Sequence, residues 1–463
     1  MADGANLKAQ DAQTTRTQGF LSQAAKSIAM RVSAAGLTFG MALFIARALG
    51  GDRGLYGEYA LAISWMNILV ILAKLGFDTA SLRFVAQYRA SGEASLLHGF
   101  DVASRRLTLI TSIGMSLLLL CVTLLLRGHV SDGVFWCLLI SAGLLPVVAG
   151  IQLREAGLLA FGRVMAGQTS GVLTPLLLVL FVIAIPRFTG ERLSPPFIVL
   201  LQLLSSILTL GFVAWIGRRE LASVEAVAEP DMRTMEWMQV ALPILLVQFL
   251  NLMQNQSGTV LCGALLDKEA AGLFSAVARV AGVLFLGLQA INTIAAPTIS
   301  SLYHLGRRDE LDRFVKTCAL ASGGFAAAFL VVMLPLGRSV LSVFGEQFVE
   351  GYVPLLVMTA GLSIAAFAGP VTQFLLMTGH QWDCIRIFSI NTVVCLAAAL
   401  FVIPQYGVLG AAGLAAFARL SSYAAMVFVI KQRHNIWCIA TLPSAVTSPP
   451  VPVETVPQQR MAA

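Results

Sequence analysis

Residues 51–62, GDRGLYGEYALA, and residues 266–278, LDKEAAGLFSAVA, share a pattern that sets the architecture of this chain. An offset of 215 positions pairs an aspartate, a basic residue and a glycine of each copy: Asp52 with Asp267, Arg53 with Lys268, and Gly57 with Gly272. Two shorter matches lie at similar offsets, residues 158–163 with 375–380 and residues 78–81 with 297–300. Matches at a near-constant offset predict that the chain consists of two copies of one unit.

The sequence around these matches is a succession of apolar segments, each long enough at about 20 residues to cross a bilayer. The chain has 463 residues, 57% hydrophobic and 12% charged, and a soluble domain carries about twice that charged fraction. We therefore predict an all-α, polytopic membrane protein with about twelve transmembrane helices. The predicted spans are 19–48, 55–77, 101–126, 133–156, 166–186, 195–217, 237–262, 271–297, 312–336, 351–378, 382–404 and 407–431.

The basic residues sort unequally between the loops on the two sides of these spans. Most of the 31 lysines and arginines fall on the side of the N-terminus, so the positive-inside rule predicts that both termini are cytoplasmic. Six spans per unit make two bundles of the same orientation, a parallel repeat about an axis along the membrane normal. The predicted parts are a cytoplasmic segment (1–18), an N-terminal six-helix bundle (19–217), a cytoplasmic linker (218–236), a C-terminal six-helix bundle (237–431) and a mostly disordered cytoplasmic tail (432–463).

Several basic side chains fall inside the predicted spans, where a cation is costly unless it faces a protein interior, a partner or water. Lys26 and Arg31 lie in the first span, Arg279 in the eighth and Arg419 in the last. We predict that these four residues line an anion-binding cavity between the two bundles. The alternative is a structural ion pair, for which Glu58 is the candidate partner of Arg279.

Polar residues form a stripe on the seventh span, because Gln248, Asn251, Asn255 and Thr259 are spaced to share one helical face. Amides bind sugar hydroxyls, so the three amide residues are predicted to line the cavity; they can equally bond to neighbouring helices. Glu58, at the outer end of the second span, is predicted to be either a proton-coupling site or part of an ion pair.

Cysteines and histidines show no metal-ligand spacing: the seven cysteines form no CxxC motif, and the five histidines fall in or beside loops. We predict no metal, no cofactor and no catalytic residue. The net charge of +7 comes from residues scattered over short loops rather than from a basic stripe, so nucleic acid is not an expected partner.

Four stretches carry a family resemblance: RALGGDRGLYGEYALAISW (47–65), LAKLGFDTASLRFVAQY (72–88), AAGLFSAVARVAG (270–282) and FVIPQYGVLGAAGLA (401–415). They resemble the polysaccharide transporter family of lipid-linked oligosaccharide flippases, in the multidrug/oligosaccharidyl-lipid/polysaccharide (MOP) flippase superfamily. The resemblance implies two helical bundles around a cationic cavity, with Arg279 at a position where many members keep a cavity-facing arginine. Members often have an acidic residue in the seventh helix where this chain has Gly258, which argues against cation coupling through that helix.

We therefore predict a transporter rather than an enzyme. It would move undecaprenyl-pyrophosphate-linked oligosaccharide repeat units across the bacterial inner membrane by alternating access, for surface polysaccharide biosynthesis. Expected partners are this glycan lipid, the bilayer, and the polysaccharide polymerase and export machinery. The alternatives are a drug/cation antiporter of the same superfamily, which would favour acidic rather than basic spans; a membrane glycan polymerase or ligase, which would need longer outer loops; and a structural membrane scaffold.

Overall fold

The computed structural model describes residues 30, 33–163, 165–189, 193–225 and 229–438, and every regular element in these ranges is helical. Short 3₁₀ helices span Ala166–Gln168 and Glu346–Gly351. The α-helices are α1 (Ser33–Ala48), α2 (Arg53–Ala73), α3 (Phe77–Ser91), α4 (Ala94–Leu125), α5 (Asp132–Ala160), α6 (Ser170–Thr189), α7 (Pro195–Glu225), α8 (Thr234–Leu265), α9 (Lys268–His304), α10 (Arg308–Ser342), α11 (Tyr352–Ala366), α12 (Val371–Met377) and α13 (Gln381–His434).

Within those ranges, nine helical stretches are long and apolar enough to cross a membrane. Two further apolar helices, Ser33–Ala48 and Ser170–Pro186, are shorter. The predicted fold class, an all-α polytopic membrane protein, is confirmed. The side on which the termini lie stays a prediction from the loop charges.

Helix α13 contains two of the predicted spans, because it folds back on itself at Gly407. The backbone of Gly407 has φ 58° and ψ −141°, a conformation that side chains disfavour. The arms, 381–406 and 408–434, lie against each other: the Asn391 amide donates to the Ala418 carbonyl at 2.6 Å and to the Ser422 hydroxyl at 2.5 Å. The chain therefore forms a helical hairpin here.

The structure corrects three details of the predicted boundaries. The residues between the second and third predicted spans contain a further helix, α3, which starts beyond a bend at Leu75 and Gly76. The tenth span is broken into α11 and α12 before Pro370. Much of the predicted linker 218–236 is helical, because α7 runs to Glu225 and α8 begins at Thr234. Helix α3, FDTASLRFVAQYRAS, has too many polar residues to form an apolar span.

The helices pack mainly in two groups, α2 to α7 and α8 to α13, and α2 crosses between them to contact α8 and α9. The bundle boundaries themselves stay predictions. Helices α2 and α9 begin alike, because Asp52 accepts from the amide of Gly54 at 2.7 Å and Asp267 accepts from the amide of Ala270 at 2.6 Å. The repeated aspartates are thus N-caps of equivalent helices.

The repeated glycines hold α2 and α9 in direct backbone contact. A Cβ atom on Gly57 would lie 1.8 Å from the carbonyl oxygen of Lys268, and one on Gly272 would lie 2.0 Å from the carbonyl oxygen of Arg53. Each glycine therefore meets the residue that precedes the other by four positions. Such a reciprocal contact is typical of a two-fold relationship between equivalent helices, and only glycine permits so close an approach.

Candidate functional site

A cavity of about 260 Å³ lies between the two groups of helices. Helix α2 of the first group borders it, together with α8, α9, α11 and α13 of the second. Its polar lining residues are Ser64, Asn67, Gln254, Asn255, Gln256, Thr259, Ser275, Arg279 and Arg419. Two of the four basic residues predicted to line a cavity are therefore in one lining.

Arg279 lies on the wall that α9 forms. Its guanidinium lies near the neutral phenol groups of Tyr56 and Tyr59, both fully buried on α2. Its Nε atom is buried and has no hydrogen-bond partner among the described residues. The α2–α9 contact therefore positions Arg279 at the cavity, and none of the described carboxylates forms an ion pair with it.

Arg419 comes from the second arm of α13 and is held by two contacts. Its Nη2 donates to Oδ1 of Asn255 at 2.6 Å, and its guanidinium carbon lies 5.4 Å from the ring centroid of Phe285. Asn255 in turn donates from Nδ2 to the carbonyl of Asn251 at 2.8 Å. These neutral partners orient the guanidinium, and no carboxylate among the described residues is paired with it.

The charge of the lining is basic. Within the described part of the chain, the cavity wall contains two arginines and neither aspartate nor glutamate. In a cleft with low-dielectric walls, such an arrangement concentrates positive potential and attracts anions. The amides and hydroxyls around it can bind neutral hydrogen-bonding groups.

The predicted polar stripe on α8 divides between two environments. Asn255 and Thr259 line the cavity, whereas Gln248 donates to the Thr79 hydroxyl of α3 at 2.5 Å. Asn251 donates to the Val247 carbonyl of its own helix at 3.1 Å and is not part of the lining. Lys26 and Arg31 lie outside the described residues.

Glu58 is buried, with 4% of its surface exposed, and lies outside the cavity lining. Its Oε1 accepts from Lys268 Nζ at 2.7 Å and from the Ser131 hydroxyl at 3.0 Å. Of the two roles predicted for Glu58, this geometry corresponds to the ion pair. The partner is Lys268 rather than Arg279, and the pair joins α2 to the start of α9.

Five polar lining residues were not singled out from the sequence: Ser64, Asn67, Gln254, Gln256 and Ser275. The Ser64 hydroxyl of α2 donates to Oε1 of Gln256 of α8 at 3.2 Å, so this pair crosses between the two groups of helices. A signal was present, because residues 254–259, QNQSGT, are a dense polar run inside an apolar span. Because these six residues are consecutive, they point in all directions around the helix and do not form a single polar face.

Solved structures with the same fold are membrane transporters. The inward-facing conformation of a multidrug resistance MATE family transporter of the MOP superfamily aligns with a TM-score of 0.70 and 14% identity, over 88% of this chain and 98% of that one. A MOP superfamily transporter from Pyrococcus furiosus aligns with a TM-score of 0.62 and 16% identity, over 88% of this chain and 94% of that one. The chain thus has the fold of MOP superfamily transporters.

The family is shown by sequence. Residues 21–303, more than half of the chain, match the family of polysaccharide biosynthesis proteins, and the chain belongs to this family. It is also 24% identical over 149 residues to the capsular polysaccharide biosynthesis protein CapF of Staphylococcus aureus. That match spans 32% of this chain and 38% of CapF. The resemblance recognised in the sequence is confirmed.

Proposed function

We propose that this protein is a flippase for undecaprenyl-pyrophosphate-linked oligosaccharide repeat units in the bacterial inner membrane, where it works by alternating access. Its family supports a role in polysaccharide biosynthesis, and its fold is that of MOP superfamily transporters. The polymerase and export machinery would receive the flipped glycan on the outer side, and both termini of the flippase would lie in the cytoplasm.

One observation carries the proposal: Arg279 and Arg419 face a single cavity whose described lining contains no carboxylate. A pyrophosphate diester carries two negative charges, and guanidinium groups bind phosphate oxygens through pairs of parallel hydrogen bonds. The surrounding amides and hydroxyls suit the sugar hydroxyls. The hydrocarbon chain of the lipid stays in the bilayer, where it needs no polar partner. Lys26 and Arg31 would extend the cationic wall from the first span.

The charges of the described cavity lining disfavour the main alternative function, a drug/cation antiporter. A drug/cation antiporter attracts cationic cargo, for which a lining with two arginines is repulsive. The fold alone does not separate the two functions, because the aligned structures include multidrug transporters. The sign of the cavity charge is therefore the property to test.

The test replaces the arginines in cells that depend on this protein for surface polysaccharide. We expect Arg279→Ala and Arg419→Ala each to lower surface polysaccharide at least about 10-fold, because each removes a charged hydrogen-bond partner of the anion. Lysine at either position retains the charge and should preserve part of the product. Arg338→Ala is the matched control, since Arg338 stacks on Tyr352 outside the lining.

Protein abundance in the membrane is measured alongside, so that a folding defect is not read as a transport defect. Normal polysaccharide in both alanine variants at normal abundance would refute the cationic cavity. Export of cationic dyes that is lost in the same variants, with polysaccharide unchanged, would favour the antiporter.

A further inference from the structure

A second, smaller pocket adjoins the arginine-lined cavity on the side of the C-terminal helices. It lies between α8 and both arms of the α13 hairpin, and we call it the side pocket. Gln254 and Ala415 line both the side pocket and the central cavity, so the two spaces meet there. Its free volume of about 30 Å³ has room for roughly two water molecules or one small substituent.

Two residues that line the side pocket, Gln254 and Thr392, have buried polar atoms without partners among the described residues. Thr392, with 7% of its surface exposed, has a hydroxyl oxygen with no hydrogen-bond partner among the described residues. The side-chain amide nitrogen and oxygen of Gln254 are also buried and have no hydrogen-bond partner among the described residues. Because buried polar groups in folded proteins are nearly always bonded, three unpaired atoms on two residues that line one small pocket point to a partner other than the described side chains.

The neighbouring residue shows that this part of the fold can satisfy its polar groups. Asn391 bonds through its amide nitrogen to Ala418 and Ser422, and its Oδ1 accepts from the Ser421 hydroxyl at 2.9 Å. These bonds hold the two arms of α13 together. The Thr392 hydroxyl forms none of these bonds, so it does not stabilise the hairpin.

The chemistry of the side pocket restricts what it can hold. Gln254, Ser257 and Thr392 offer neutral donors and acceptors, and the pocket lining, all within described residues, contains no charged side chain. An anion would lose its hydration there without gaining a counter-charge, and a hydrocarbon chain would leave the polar atoms unpaired. A hydroxyl or hydroxymethyl group, which both donates and accepts, satisfies the pocket.

The position of the side pocket relates the hydroxyl group to the anion site. Ala415, which lines both spaces, precedes Arg419 by four residues and therefore lies one helical turn away on the same face. Gln254 lines the same cavity as Arg419, so a group attached to a phosphate at Arg419 has a route to the side pocket. In a lipid-linked glycan, the polar group next to the pyrophosphate is the first sugar.

We propose that the side pocket binds a hydroxyl-bearing substituent of the sugar joined to the pyrophosphate, so that Gln254 and Thr392 select the sugar that is transported. The inference rests on the proposed function, since it takes the anion site to be the arginine-lined cavity.

The test measures binding of two soluble probes to the purified protein in lipid nanodiscs. One probe is inorganic pyrophosphate, which reports on the arginines, and the other is a hexose 1-diphosphate methyl ester, which adds the sugar. We expect the protein to bind the hexose probe more tightly than pyrophosphate. Thr392→Val and Gln254→Leu should each reduce this preference by about 10-fold, the usual effect of losing a hydrogen bond at a buried site.

Thr359→Val is the matched control, because the Thr359 hydroxyl donates to Leu355 of its own helix and lies outside both cavities. It should keep the preference for the hexose probe. Thr392→Val removes an unpaired hydroxyl, so its thermal unfolding temperature without ligand should not fall. A lowered unfolding temperature with an unchanged preference would assign Thr392 a structural role and overturn the inference.

The two proposals fail in different ways. If the wild-type protein does not bind pyrophosphate, the anion cavity is refuted, and with it the proposed function and the side pocket. If it binds pyrophosphate but shows no preference for the hexose probe, or if the preference survives in both side-pocket variants, only the sugar-selecting role is refuted.

Discussion

Helices α2 and α9 are equivalent in the repeat, and their comparison separates scaffold from chemistry. Both begin with an aspartate N-cap, and their glycines make reciprocal backbone contacts. Both also line the cavity with the same four positions at the offset of 215: Ala60 and Ser275, Ile63 and Ala278, Ser64 and Arg279, and Asn67 and Gly282. The packing is repeated, but the charge is not.

The pair Ser64 and Arg279 shows how the two helices differ in chemistry. Where α2 has Ser64, α9 has Arg279, so one helix brings a hydroxyl to the cavity and its equivalent brings a cation. Glu58 likewise has Leu273 as its counterpart, and it bonds instead to Lys268 at the start of the other helix. A symmetric backbone contact thus supports an asymmetric site.

Breaking the shared contact should have the largest effect. Gly272→Ala places a Cβ where the Arg53 carbonyl oxygen would be 2.0 Å away, and this neighbour is backbone, which moves only with its helix. We expect loss of the folded protein from the membrane, checked by abundance and thermal unfolding. Gly211→Ala, where the new Cβ has open space, is the control. Equal stability of the two variants would contradict the contact.

Exchanging the residues that differ sharpens the comparison. Arg279→Ser makes α9 like α2 at this position and should abolish polysaccharide transport. Adding Ser64→Arg moves the guanidinium to the equivalent position on α2, and we expect part of the transport to return because both positions line the cavity. Surface polysaccharide at matched protein abundance is the measurement. If the double variant is as inactive as the single one, the charge must be on α9.

Removing the ion pair between the equivalent helices should have an intermediate effect. Lys268→Ala leaves the buried Glu58 carboxylate without its cation, which we expect to cost about 1–3 kcal/mol of unfolding free energy because Lys268 itself is 37% exposed. Glu58→Gln combined with Lys268→Ala should cost less than Lys268→Ala alone, since no charge is then buried. Thermal or denaturant unfolding of these two variants and of Glu58→Gln alone measures this coupling, and additive effects would exclude it.

Removing the aromatic ring that lies beside Arg419 should have the smallest effect. Phe285→Leu removes the ring beside Arg419 but keeps the charge and the bond to Asn255. We expect transport to fall about 2- to 5-fold, since a cation–π contact contributes about 0.5–1 kcal/mol at a partly exposed site. A loss as large as that of Arg419→Ala would mean that Phe285 does more than orient the guanidinium.

The sequence by itself determined the class of fold, most of the spans, the repeat and the family. These properties depend on local pattern: the length of apolar segments sets the spans, and a capping aspartate followed by a glycine marks both copies. The charges of Arg279 and Arg419 could also be recognised locally, because a cation within an apolar span is costly unless it has a role.

Only the tertiary structure decided which polar residues share the site. Gln248 and Asn255 belong to one predicted stripe, yet the first bonds to α3 and the second to Arg419, because α8 packs on different helices along its length. Arg419 lies 164 positions from Asn255, and Lys268 lies 210 positions from Glu58. Such pairings depend on how the helices pack in three dimensions, which spacing along one helix does not reveal. The side pocket has the same origin, since it exists only where α8 meets the hairpin of α13.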